Sequence, residues 1–279
     1  MVALLLAAAL ALPAPDTTVR LPRGTTVEIS TFDRPVRLNG VAGDRVTVRG
    51  TGLELDGRTL EIDGGMPGRS GRGPVTIDVP TWATVRIETV SGEVVITEAP
   101  TDLQVDAVDG RIAVRGGGGE MSLSGTGAIE VTDFRGSRLG IEGLTGSIRV
   151  AGATGSLEIE SVNGQIGLER VTSRDVQVST TNGQVSWAGP LDPAGTYRFE
   201  THNGNIVLRL PPRVSARLRV ETFNGSFDTR IPAATTGAAE RRPGPPRERR
   251  VTATYGRGEA TVELSSFNGS VVVRPLGET

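Results

Sequence analysis

Cysteine is absent from this 279-residue chain, and histidine occurs once, at His202. Every one of the 30 basic residues is arginine. Without cysteine there can be no disulfide, no thiolate metal site, no cysteine nucleophile and no thiol for lipid attachment. One histidine excludes metal centres built on several imidazoles and leaves a Ser-His-Asp site conceivable only around His202. Aromatic residues make up 4% of the chain, so a core has to come from Val, Ile, Leu and Ala. The net charge of −2 provides no bulk attraction to nucleic acid or anionic membrane, and no specific nucleic-acid binding is expected.

The opening MVALLLAAALALPAPD is apolar from Val2 to Leu12 and ends in small residues. It reads as the apolar region and cleavage site of a signal peptide over residues 1–15, although no basic residue precedes the apolar run. The expectation is an exported protein, in the periplasm or at the cell surface, with no membrane-spanning segment in the mature chain; the alternative is a buried first strand.

Glycine is abundant, at 38 residues, and much of it is periodic. Aligned on glycine, a twelve-residue unit recurs: VRIETVSGEVVI from Val85, LQVDAVDGRIAV from Leu103, LGIEGLTGSIRV from Leu139 and LEIESVNGQIGL from Leu157. MSLSGTGAIEV from Met121 is one residue short, and these five copies start 18 residues apart. Further copies begin at Val176, Tyr197, Leu218 and Val262, with steps of 19, 21, 21 and 44. A weaker copy, VEISTFDRPVRL from Val27, opens the array. Positions 1, 3, 10 and 12 are mostly apolar, which is the alternation of a strand with one face inward.

Two folds accommodate this unit. In a hairpin, Asn163-Gly164 is a two-residue loop between antiparallel strands. In a solenoid, each period is one rung and equivalent residues stack. The constant step favours an all-β, single-stranded parallel β-solenoid (β-helix-like) with 18–21-residue rungs. Glycine at the eighth position is expected to supply positive φ at a sharp turn, at Gly164, Gly183, Gly204, Gly225 and Gly269. The asparagines just before them, Asn163, Asn182, Asn203, Asn224 and Asn268, could stack into an amide ladder. Residues 16–80 follow the period poorly, contain a short hairpin from Leu53 to Ile62, and read as an irregular N-terminal β cap on the array at 81–279. Residues 232–250 read as an exposed Arg/Pro-rich loop ejected from the stack.

Chemistry is sparse. The fourth position is acidic at Glu88, Asp106, Glu142, Glu160, Glu200 and Glu221, a row on one outer face. Glu142 and Glu160 are weak candidates for a hard cation, but Arg86, Arg198 and Arg219, two residues before Glu88, Glu200 and Glu221, offer salt bridges instead. GGGG at 116–119 lacks the Gly-Lys-Ser/Thr of a nucleotide loop. Arg241, Arg242, Arg247, Arg249 and Arg250 form the one basic cluster, a possible dock for an anionic partner. No catalytic or cofactor-binding set emerges and no cofactor is implied. The expectation is a non-enzymatic protein that binds an unidentified surface protein or glycan; the alternative is a carbohydrate-active β-helix enzyme using the acidic face. An enzyme should concentrate its acids at one or two rungs, whereas these are spread along the array.

The runs VTIDVPTWATVRIETVSGEVVI, LRLPPRVSARLRVETFNGSFDT and GRGEATVELSSFNGSVVVRP resemble the bacterial putative-adhesin family of β-strand-repeat proteins, a domain of unknown function, over about residues 17–276. The resemblance implies a β-helix-like architecture and frequent export. It carries over no functional residues.

Overall fold

A computed structural model describes residues 16–56, 58–65, 73–232, 235–237 and 249–277. Among them no helix forms, and none is therefore long and apolar enough to cross a membrane. The strands assemble into a 13-stranded and a 14-stranded sheet, mostly parallel and not closed into a barrel. From Thr84 onward, each passage of the chain lays a longer strand in the second sheet, turns at a glycine corner, and lays a shorter strand in the first.

Strand pairing decides between hairpin and solenoid. Strands Thr154–Asn163 and Ile166–Glu169 flank Asn163-Gly164 but belong to different sheets. Leu157 pairs in parallel with Leu139 and Val176, and Ile166 with Ile148 and Val185. The turn is a corner between sheets, and the arrangement is that of a β-solenoid. The alternation decides which atoms leave water: Val85, Leu103, Met121, Leu139, Leu157 and Val176 form one inward column. Val94, Ile112, Ile129, Ile148, Ile166 and Val185 face them from the other sheet. Each such side chain contributes about 1.5–3 kcal/mol when fully buried, and one passage alone could not cover its own apolar face.

The reason for the corner glycines differs from the expected one. Gly92 and Gly110 have φ of 131° and 133°, but Gly164, Gly183, Gly204, Gly225 and Gly269 lie outside the left-handed region. What excludes a side chain is the neighbouring passage. A Cβ on Gly183 would overlap the Gly164 carbonyl oxygen, and one on Gly164 would overlap that of Gly146. The glycines form a column in which each Cα packs against the backbone of the next corner.

Both ends of the stack depart from chain order. The passage Thr26–Thr31 and Val36–Val41 pairs directly with Thr84–Ser91 and Val94–Ala99, so the weak copy at Val27 is a regular member. Outside it lies a later passage, Thr59–Asp63 and Val75–Pro80. At the other end, Ala260–Asn268 inserts between Thr196–Asn203 and Ala216–Asn224. Adding passages in chain order, as the step of 44 suggests, therefore misplaces the last one.

The described part of the segment expected as an irregular cap, 16–80, is largely strand. Thr17–Arg20 and Arg45–Arg49 add antiparallel strands to one sheet, and Glu54–Asp56 folds back on Thr59–Asp63 as the expected hairpin. The segment expected as a loop at 232–250 also contributes structure: Thr235–Gly237 and Arg249–Tyr255 are antiparallel strands covering Ala216–Asn224. Among the described residues, antiparallel additions close both edges of the 14-stranded sheet and the N-terminal edge of the 13-stranded one, which prevents further parallel stacking there; the remaining edge is the three-residue strand Phe227–Thr229.

Candidate binding groove

In the longer strands the side chains of the second, fourth and sixth positions point outward, and those of the first, third and fifth point inward. Between the fourth and sixth rows runs a groove of about 1250 Å³ that crosses ten strands, from Ser30 to Glu221. Its floor is the fifth position, where Thr89, Ser161, Thr180 and Thr222 are buried. Two fifth-position hydroxyls help to lock the corner: Thr201 Oγ1 donates to the Gly183 carbonyl at 3.2 Å and Ser266 Oγ to that of Gly204 at 3.1 Å.

The acidic row forms one wall, and Glu88, Asp106, Glu142, Glu160, Glu200 and Glu221 all line it. Its expected arginine partners are largely engaged elsewhere. Arg86 lies 3.7 Å from Glu28, not beside Glu88, and Arg219 lies 3.4 Å from Glu263, not beside Glu221. Arg198 sits 2.8 Å from Glu263 and 3.9 Å from Glu200. The hydrogen bond to Glu263, and then that carboxylate's charge, hold the Arg198 guanidinium above its ordinary pKa. The physical reason is lateral: neighbouring strands are about 4.8 Å apart, closer than two residues along one strand at about 6.6 Å. Among the described residues no arginine forms an ion pair with Glu88, Asp106, Glu142 or Glu160; Asp106 accepts from Gln104 Nε2 at 2.9 Å. No group of three or more acidic or histidine side chains suited to a metal ion occurs among the described residues, Glu142 and Glu160 included.

The opposite wall, which the sequence analysis does not single out, is apolar. Val90, Val108, Leu144, Val162, Phe223 and Phe267 occupy the sixth position and are 38–62% exposed. The signal was parity, since the sixth position shares the outward phase of the second and fourth, so an apolar residue there breaks the alternation. His202 belongs to the same wall. Its ring stacks on Phe267 at 4.8 Å, and Phe267 stacks on Phe223 at 4.7 Å.

Beside the groove the asparagines meet edge to edge. Asn182 Nδ2 donates to Asn163 Oδ1 at 2.8 Å, Asn203 to Asn182 at 2.8 Å, Asn268 to Asn203 at 2.8 Å and Asn224 to Asn268 at 3.0 Å. The order 203–268–224 repeats the exchange of passages at that end. Asn182→Ala removes one donated and one accepted bond at an exposed corner, and is expected to lower stability by about 1 kcal/mol. Asn182→Asp should lower it further, because a carboxylate cannot donate and would face Asn163 Oδ1. Urea denaturation of the two variants checks this, and unchanged midpoints would deny the amides a structural part.

Of the basic cluster, Arg241, Arg242 and Arg247 lie outside the described residues. Arg249 and Arg250 open the strand Arg249–Tyr255, and Arg250 Nε is 3.1 Å from Glu221 Oε1.

Comparison with solved structures finds a "putative cell adhesion protein" from Clostridium sporogenes, 8% identical, covering 95% of this chain and 100% of that one at a TM-score of 0.22. A "putative adhesin" from Parabacteroides merdae is 9% identical, covers 93% of this chain and 95% of that one, and has a TM-score of 0.43. No curated protein matches the sequence. The repeated strand–corner–strand unit, spread from the cap to the final passage, has its counterpart in one family: residues 18–274 match Toastrack DUF4097, and the chain belongs to that family.

Proposed function

We propose that this protein is a non-enzymatic, exported module of the cell envelope, adhesin-like in use, that holds an extended partner along the groove of its longer-strand sheet. The observation that carries the reading is the groove itself. It crosses ten strands, with carboxylates or serines along one wall and mostly exposed apolar side chains along the other, each wall built from a single repeated position. A surface repeated in this way suits a partner that is itself long, because each strand presents a similar contact. Support for export is the apolar run from Val2 to Leu12 followed by small residues.

The carbohydrate-active alternative has less behind it. A glycosidase needs two carboxyl groups whose environments differ enough to make one an acid and the other a base or nucleophile. Glu142 and Glu160 pair on adjacent strands and share one exposed setting. Purified protein is expected to release no reducing ends from a panel of cell-wall and surface polysaccharides. Reproducible release, lost on Glu160→Ala, would overturn the non-enzymatic reading. Fractionation of the native host with mass spectrometry of the N-terminus tests export; a cytoplasmic protein retaining residues 1–15 would overturn that part.

A further inference from the structure

We propose that the occupant of the groove is a basic amphipathic helix of another polypeptide, its apolar stripe against the sixth-position wall and its Lys or Arg side chains against the fourth-position carboxylates. The inference rests on the groove being a binding surface and adds the chemistry of what binds.

Charge comes first. Glu88, Asp106, Glu142 and Glu160 stand on four of five successive strands, with Ser124 between the two pairs. That stretch is about 19 Å long at ~4.8 Å per strand. The arginines of the same face are drawn sideways to Glu28, Glu158 and Glu263, so they leave this wall negative. A partner bearing cations at matching intervals supplies what the protein itself withholds.

Each of these acids is followed two residues later by an exposed aliphatic side chain: Glu88 by Val90, Asp106 by Val108, Glu142 by Leu144 and Glu160 by Val162. The paired rows call for a ligand that is cationic along one edge and apolar along the other. An α-helix with side chains is about 10 Å across and repeats every 5.4 Å along its axis. Against strands ~4.8 Å apart it drifts by only about 2.4 Å over four steps, which flexible Lys and Arg stems absorb.

Other occupants fit less well. A β-strand along the groove repeats each face every ~6.6 Å and is out of register within three strands. Nor can it add to the sheet, whose strands along the groove are already paired on both sides. An acidic glycan meets like charge. A neutral sugar finds no aromatic face over these strands, and the rings at His202, Phe267 and Phe223 are stacked on one another.

The test uses the whole chain and an ~18-residue amphipathic Leu/Lys helix as probe, long enough for the acidic stretch. Comparison probes are a scrambled peptide of the same composition, a Leu/Glu helix, and neutral and cationic oligosaccharides. Calorimetry is expected to show binding of the Leu/Lys helix alone, weakened by added salt. Combining Glu88→Gln, Asp106→Asn, Glu142→Gln and Glu160→Gln should weaken it at least about tenfold, as removal of four exposed ion pairs implies. Combining Val90→Ser, Val108→Ser, Leu144→Ser and Val162→Ser should do the same, whereas Glu169→Gln, an exposed carboxylate on the other sheet, should leave it unchanged. These positions all face solvent, and circular dichroism confirms that the variants fold.

Equal binding of the scrambled peptide, or indifference to the acidic variant, overturns the helix. Oligosaccharide binding abolished by the same substitutions overturns the helix but keeps the groove. Light scattering that shows self-association through these residues makes a second copy the occupant and also overturns the helix. If no probe binds and no copy associates, the groove reading itself falls.

Discussion

Gly183→Ala is expected to be among the most damaging single-methyl changes in this protein, lowering unfolding free energy by about 3 kcal/mol or more. The added Cβ would overlap the carbonyl oxygen of Gly164 and lie 2.8 Å from its carbonyl carbon. Both are backbone atoms held by the neighbouring passage, so no rotamer change relieves the contact. The corner would have to open, which strains the bonds from Gly164 N to Asn182 O and from Gly183 N to Asn203 O, each 3.0 Å. The amide ladder through Asn182 would be strained with them. Two glycines within strands, one in each sheet, serve as controls. A Cβ on Gly167 would come no nearer than 3.5 Å to Ser186 Oγ, and one on Gly140 no nearer than 3.8 Å to the Met121 carbonyl oxygen. Alanine there should be neutral or stabilising by about 0.5–1 kcal/mol, because glycine within a strand carries an entropic penalty. Chemical denaturation of the three variants makes the comparison. If Gly183→Ala unfolds within about 1 kcal/mol of the parent, the corners relax more easily than their packing implies and the glycine column is not required.

A second large effect is expected at the N-terminal end of the stack. Arg34 is 6% exposed, and its guanidinium donates only to backbone: Nε to the Gly73 carbonyl at 2.9 Å, Nη1 to Gly64 at 3.2 Å and Nη2 to Gly50 at 3.0 Å. One side chain thereby ties the first passage to Gly50, ahead of the next passage, and to Gly64 and Gly73, between the two strands of that passage. Arg34→Ala leaves these carbonyls without their donors and opens a hole the size of the side chain. Charged hydrogen bonds of this kind contribute about 1.5–3 kcal/mol each, so a loss of at least about 3 kcal/mol is expected even if water satisfies some of the carbonyls. Arg34→Lys should not rescue it, because one ammonium cannot span the three directions that the planar fork serves. Limited proteolysis is expected to locate the damage at residues 50–75, with the central passages still protected, because a repeat stack communicates mainly between neighbours. Uniform loss of protection along the chain, or full rescue by lysine, would contradict the proposed anchoring.

Much of this architecture was legible in the residues. The alternation around Leu157 and Ile166 is a local property, and its repetition at a near-constant step meant that the units had to stack to bury their apolar faces. The asparagine positions were equally visible, since a residue that recurs at one place in a repeat is brought beside its copies by the same stacking. Even the apolar groove wall was present as a breach of parity at Val108 and Leu144, although nothing in a single copy marks it as a surface.

Other features depended on which passage lies beside which. No local signal distinguishes Ala260–Asn268 as an inserted neighbour of Thr196–Asn203 from the next strand in chain order. Arg86 turns to Glu28 rather than Glu88 because a neighbouring strand is closer than two residues along its own. Gly183 is glycine because of an oxygen on Gly164, 19 residues earlier, and not because of its own φ. Period and alternation are written along the chain and can be read there. Neighbour identity, and with it the charge left on the groove wall, exists only once the passages have packed.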